Sequence, residues 1–287
     1  MSIATGDRDL EELETVKFMA SALFDVSAEK IGRLRTAFEK NGVFYNDISD
    51  LYESIKRTAI NRNDLSALYP GVARKIFVAF TSNVRFYGSI NTDVMLAFLK
   101  RITENEGEKI DAMIIGRTGK TFIERVEDGK KMESIQYLSF EADEPTKDEM
   151  QVFLDRVALY DEVHVFYPSF VNVFSQKVVS IDITHTAERI PTLPQPEEEE
   201  EIDYIFEPEL KKIISFFETR VRYLLFQRVA LESELARTAA RLFAMNRAQD
   251  RAGEEIVKVR NIIRKDTESF NDLRLLESFA ALQKWKT

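Results

Sequence analysis

Residues 232–256 read ESELARTAARLFAMNRAQDRAGEEI, with no proline and one glycine, Gly253. Followed outward, the pattern holds from Glu209 to Leu282, with Gly253 still the single glycine. Apolar side chains recur at Leu210, Ile213, Phe217, Val221, Leu224, Leu231, Leu235, Leu242, Met245, Ala252, Ile256, Val259 and Ile263. The steps are mostly three and four, or seven where one site is skipped, which is a helical stripe of period near 3.5. At 1.5 Å per residue, one helix over this span is about 110 Å long. A compact domain does not hold such a helix alone. The stripe therefore predicts a paired helix or one inserted into another protein.

Proline placement extends the reading. The seven prolines lie between Pro70 and Pro208, so both ends of the chain are free to form long helices. The N-terminal mate begins at Leu10, with a stripe through Leu13, Val16, Ala20, Leu23 and Ser27 and a second run at Ile48, Leu51 and Ile55. Gly32 and Gly42 are expected to mark bends. Antiparallel pairing of the two ends would form a coiled coil.

Between the helices the period changes. Strands are expected at KIFVAFTS (75–82), KIDAMIIG (109–116), SIQYLSF (134–140), EVHVFYPSF (162–170) and SQKVVSIDIT (175–184). Helices are expected at NTDVMLAFLKRITEN (91–105), capped by Asn91, and at PTKDEMQVFLDRVALY (145–160). Strands alternating with helices indicate a layered α/β domain with a mainly parallel, Rossmann-like sheet. The organisation is then an N-terminal helix (1–69), an α/β domain (70–186), an acidic Pro/Glu linker with five consecutive glutamates (187–207), and a C-terminal helix (208–287).

The stretch DAMIIGRTGKTF (111–122) resembles a phosphate-cradling loop, G-x-x-x-x-G-K-[ST]. The required first glycine falls at Ile114, and the actual one is Gly116. That loop is too short to wrap phosphates with successive backbone N–H groups. A strand ending in a turn, with Lys120 solvated, is the expected structure. One glycine after the first strand likewise gives no dinucleotide fingerprint.

The chain has no cysteine, which excludes disulfides, thiolate metal sites and cysteine nucleophiles. His164 and His185 are far apart in sequence, and no G-x-S-x-G elbow is present. No run of eighteen apolar residues occurs, and the acidic N-terminus lacks the pattern of a secretion signal. No catalytic, metal or cofactor site is expected. Net charge is −9, distributed unevenly. Residues 208–287 hold ten Arg and six Lys against eleven acids, giving +5, which leaves −14 on 1–207. No nucleic-acid motif accompanies the basic segment.

Taken together, the order and the motifs resemble the gamma subunit of the rotary, F-type ATP synthase of bacteria. The most specific stretch is residues 232–256, where the family has Ala-Ala-Arg, an apolar pair, Ala-Met and spaced alanines. Here Ala239, Ala240, Ala244 and Ala248 are small enough for two helix backbones to approach. YDEVHVFYPSFVNVFSQ (160–176) and DYIFEPE (203–209) are similar to the family as well. The sequence departs from it at ETVKFMASALFDVSAEKI (14–31), at VRFYGSIN (84–91) and at ESFNDLRLLESF (268–279).

The resemblance implies a non-catalytic central-stalk rotor, with the ATP sites on partner subunits. Its implied partners are a ring of alpha and beta subunits, an epsilon subunit and a ring of c subunits. The membrane would be touched only through partners, at the cytoplasmic face of a bacterial plasma membrane. Under this resemblance Arg241 and Met245, then Arg237 and Arg274, are expected to face the alpha/beta ring. Met245 equally fits a coiled-coil core, and Arg241 a solvated flank. Tyr204 and Glu207 are expected to meet the c ring or epsilon. The other reading is a coiled-coil adaptor or repurposed rotor paralogue.

Overall fold

The computed structural model describes residues 3–61, 74–105, 110–126, 135–184 and 210–284. In chain order the described elements are α1 (Ile3–Asn61), β1 (Lys75–Phe80), α2 (Ile90–Glu104), β2 (Ile110–Ile115), α3 (Arg117–Arg125), β3 (Ile135–Leu138), α4 (Lys147–Val157), β4 (Glu162–Phe170), β5 (Gln176–Asp182) and α5 (Leu210–Lys284). The domain boundaries expected at 69/70, 186/187 and 207/208 lie outside the described residues. By packing, the chain forms two compact units, Lys30–Ala240 and Met1–Glu29 with Arg241–Thr287.

The unit Lys30–Ala240 is built on a five-stranded sheet of order β3-β2-β1-β4-β5. β1 pairs in parallel with β2 and β4, β2 pairs in parallel with β3, and β5 closes one edge antiparallel to β4. The expected strands are all present. A parallel sheet is covered on both faces, so its strands are near-continuously apolar. Along β1, Phe77 and Ala79 join a core with Val94, Met95 and Phe98 of α2 and Ile123 of α3. Ile76, Val78 and Phe80 point the other way, into a core with Phe153 and Val157 of α4. The same core takes in Tyr45 and Tyr52 of α1 and Val221, Leu225, Phe226 and Val229 of α5. Phe153 and Phe226 stack at its centre, with centroids 4.0 Å apart.

Local chemistry fixes the connections. Thr146 and Glu149 form a reciprocal capping box at the start of α4. Asn91 does not cap α2, because Ser89 occupies that position. Asn91 is buried and serves the end of β1 instead: its Oδ1 accepts from Ser82 N (3.1 Å) and its Nδ2 donates to Ser82 Oγ (2.8 Å).

Within this unit α1 and α5 lie antiparallel, shown by Asn41 against Gln227 (3.2 Å) and Tyr52 against Glu218 (3.2 Å). α1 runs through Gly32 and Gly42 as one continuous helix. A Cβ on Gly42 would lie 2.9 Å from Arg228 Nη1, so this glycine makes room for a partner side chain. Leu51, expected on the buried stripe, is exposed, and Tyr45, Ser49 and Tyr52 take the interior positions.

The second unit is an antiparallel helix pair. Gly6 meets Ile263, Glu14 accepts from Arg260 Nη2 at 2.6 Å, and Lys17 lies beside Gly253. Ala20 and Ser27 of α1, and Met245, Ala252 and Ile256 of α5, are buried. Val16, expected to be interior, is exposed, because the buried positions step by seven through Ala20 and Ser27.

Candidate functional site

Among the described residues no metal-binding cluster occurs, and no helix is long and apolar enough to cross a membrane. The loop GRTGKT is the first place to test for chemistry. The helix α3 starts directly after Gly116, and its first N–H groups would be the phosphate donors. Each already has a protein acceptor. Arg117 N donates to Asn83 Oδ1 (3.0 Å), Thr118 N to Ser82 O (2.9 Å) and Gly119 N to Thr81 Oγ1 (3.0 Å). Gly116 N donates to Leu138 O at 3.0 Å. The glycines answer to packing: Gly116 has φ 99°, and a Cβ there would lie 2.4 Å from Thr81 O. At Gly119 a Cβ would lie 2.7 Å from Ile114 Cγ2. Lys120 is exposed, with Nζ 5.7 Å from the Tyr137 ring centroid. The loop seats α3 on β1 and β2.

The second place is the stretch 232–239 of α5, buried around its whole circumference although five of its eight residues are polar. Glu232 accepts from Tyr167 Oη (3.0 Å) and Ser169 Oγ (2.5 Å), which binds α5 to β4. Burial, then the Glu232 charge and hydrogen bond, push the Tyr167 phenol far above its usual range, so it stays a donor. Burial lowers the Arg228 pKa, while the Glu232 carboxylate opposes that shift. Glu234 accepts from Lys30 Nζ of α1 at 2.5 Å and from Arg237 Nη2 at 3.1 Å. Arg237 Nη2 also reaches Asp143 O (3.3 Å), and its guanidinium lies 5.2 Å from the Phe80 ring centroid. One helical turn and a half thus carries polar ties to α1, to β4 and to the loop before α4.

This placement revises Arg237. It was expected to face a partner subunit, but it is fully buried within its own unit. The cause is Glu234 three residues earlier, which is itself buried and attracts the guanidinium. The sequence reading missed Glu232, Glu234, Tyr167, Ser169 and Lys30. A usable signal was present in the polar residues on every face of ESELART, where an exposed stalk helix would keep one apolar stripe.

The third place is the helix-pair unit. Met245 is buried on the stripe. Arg241 is half-buried, and its Nε is enclosed. Arg274 is exposed and lies 5.6 Å from the Phe270 ring centroid. Beyond Ile263, which meets Gly6 near the start of α1, α5 continues to Lys284. Residues 267–281 are exposed throughout, including Phe270, Leu273, Leu275, Leu276 and Phe279. Tyr204 and Glu207 lie outside the described residues.

Comparison with known proteins accounts for this architecture. A family profile described as ATP synthase matches residues 8–266. The ATP synthase gamma chain of Legionella pneumophila (strain Corby) is 24% identical over 260 residues, covering 86% of both chains. That of Nitrosospira multiformis is 24% identical over 271 residues, covering 91% of both. Among solved structures, the fold is similar to a chain of the central stalk/c-ring of Tetrahymena thermophila mitochondrial ATP synthase. The TM-score is 0.58 at 19% identity, over 80% of this chain and 99% of that one. A chain from the OSCP/F1/c-ring of Euglena gracilis mitochondrial ATP synthase gives a TM-score of 0.54 at 14% identity, over 92% and 94%. With a long helix at each end of a mostly parallel sheet and a family match across most of its length, the chain belongs to the gamma-subunit family of ATP synthase.

Proposed function

We propose that this gamma-family chain is the rotor of an ATP synthase, coupling ion-driven rotation of a membrane ring to conformational cycling of an alpha/beta ring. It performs no catalysis itself, and ATP is made or hydrolysed on the partners. The observation that carries the reading is the exposed stretch 267–281 of α5. It amounts to about 22 Å of helix at 1.5 Å per residue, beyond the position where Ile263 meets Gly6. It exposes Phe270, Leu273, Leu275, Leu276 and Phe279 on several faces. Such a helix is stable when a surrounding apolar collar covers it. A ring of alpha and beta subunits supplies a collar of that kind.

In this reading the helix pair is the shaft and the sheet unit is the foot on the c ring, beside epsilon, at the cytoplasmic face of a bacterial membrane. Rotation works as a coupling free energy: a rigid asymmetric body presents a different face to each nucleotide site. Arg241 and Arg274 remain the shaft candidates, Met245 takes the coiled-coil-core alternative, and Tyr204 and Glu207 remain the foot candidates. Arg241→Ala is expected to leave assembly intact and lower ATP turnover or ion pumping.

Co-purification tests the function. The chain should isolate with alpha, beta and c subunits, and a variant ending at residue 266 should lose torque in single-molecule rotation while keeping the sheet unit. Isolation as a free chain or homodimer, with no effect of the truncation on ATP-driven ion pumping, would favour the adaptor reading.

A further inference from the structure

The GRTGKT stretch does not cradle a phosphate with its backbone, yet its side chains line a cavity of about 300 Å³ at the carboxyl ends of β1 and β2. The loop after β1, the start of α2 and one side of α3 enclose it. Arg85, Arg117 and Arg125 line it together with the hydroxyl-bearing Thr92, Thr118 and Thr121. None of its lining residues is acidic, in a chain whose net charge is −9. Arg117 and Arg125 bring two like charges to one concavity, and a bound anion relieves their repulsion.

The cavity is preformed. Tyr87 is buried and donates to Asp143 Oδ2 at 2.6 Å. Asn83 Nδ2 donates to Phe140 O (2.7 Å) and Ala142 O (3.2 Å), while its Oδ1 accepts from Arg117 N. Thr118 Oγ1 and Ser82 Oγ share a hydrogen bond at 3.2 Å. At the rim, Phe86 holds φ 71°, a left-handed conformation that a bulky aromatic residue rarely adopts. Open α/β sheets place ligand sites outside the carboxyl ends of their strands, and the cavity volume is at the lower end of small-ligand pockets.

We infer that this cavity binds a small phosphate-type oxyanion. The geometry suits a compact polyanion such as pyrophosphate or the phosphate of a lipid headgroup. Arg117 and Arg125 would bracket its charge, and the threonine hydroxyls would donate to its oxygens. The site lies within the Lys30–Ala240 unit, involves no ATP hydrolysis, and is independent of the rotor reading.

Calorimetric titration of the full chain with inorganic pyrophosphate tests it. Saturable binding is expected, weakened tenfold or more in Arg117→Gln/Arg125→Gln. Lys120→Ala should leave it unchanged, since Lys120 does not line the cavity. Arg117→Lys/Arg125→Lys should retain part of the affinity, which separates lost charge from a damaged fold, and matching circular dichroism melts check the fold directly. Flotation with phosphatidylcholine vesicles, with and without phosphatidic acid, distinguishes the source. Capture by the acidic vesicles alone, abolished by the double Gln variant, assigns the headgroup. No saturable binding in either arm, or equal binding by the wild-type chain and the double Gln variant, overturns the inference.

Discussion

Arg237 offers the sharpest test of how α5 is held. Its side chain is fully enclosed, with Nε and Nη2 on Glu234 and Nη2 also on Asp143 O. Replacing it with methionine keeps much of the volume but strips Glu234 of one of its two cations. Breaking a buried ion pair by removing one partner typically costs about 3–5 kcal/mol. Two features place this case at the low end. Lys30 still reaches Glu234, and Arg237 Nη1 is buried with no hydrogen-bond acceptor among the described residues. The expected loss is therefore about 3 kcal/mol, roughly a 6–12 °C fall in Tm at 2–4 °C per kcal/mol. Glu234→Leu alone should cost at least as much, since it leaves an arginine buried against one carbonyl. The double variant Glu234→Leu/Arg237→Met removes both charges, and Lys30, about a quarter exposed, can turn toward water. Replacing both partners by apolar groups is often near neutral, so the double variant should be more stable than either single one. Urea unfolding of the three variants and the wild type closes the cycle. A Tm change under about 2 °C for Arg237→Met, or additivity within about 0.5 kcal/mol, would refute the network account.

Five further outcomes are expected. Gly116→Ala should destabilise the sheet unit by more than about 2 kcal/mol, because positive φ and the 2.4 Å approach to Thr81 O act together. Gly88→Ala, at φ 63° but facing open space, should cost only about 1 kcal/mol in the same melts. Thr146→Ala should lose about 1 kcal/mol through the α4 cap. Burial pushes the Glu149 carboxyl up, but hydrogen bonds from Thr146 N, Glu141 N and the Thr146 hydroxyl outweigh it and hold its pKa below the usual 4.5. Its contribution is thus present above the unfolded pKa and lost as pH falls through the folded one, so the stability gap between wild type and Glu149→Gln should close on acidification. Lys120→Ala should leave ATP binding by the isolated chain undetectable, as for the wild type. A calorimetric signal that disappears in this variant would restore the phosphate-loop reading.

The fold was largely legible from periodicity. The change from a seven-residue stripe to alternating short strands and helices located the sheet and both long helices. Where the reading failed, side-chain competition explains it. Asn91 looks like a cap because asparagine often is one, but Ser82 at the end of β1 needs a buried partner. Val16 and Leu51 are apolar at plausible spacing, yet the interior of the antiparallel pair selects small or hydroxylated residues at Ala20, Ser27 and Ser49. Arg237 was misplaced because a basic residue on a long helix reads as solvated or partner-facing. Its burial depends on Glu234, Asp143 and Phe80 converging from three elements, which one-dimensional spacing does not reveal. The cavity with Arg85, Arg117 and Arg125 was half visible, since the motif drew attention to the right loop but for the backbone instead of the side chains.

The core shared by β1, β4, α4 and α5 also dictates when this protein can fold. Val221, Leu225, Phe226 and Val229 complete one face of the sheet, yet they follow β5 by some forty residues of chain. During synthesis Ile76, Val78, Val163 and Val165 are made early and wait for that late segment. Contacts this distant in sequence slow folding and leave apolar surface open to association with other chains. A ribosome-bound chain stopped at residue 184 should consequently hold its α2- and α3-covered face packed and its opposite face incomplete. It would be a substrate for chaperones until the last third of the sequence emerges.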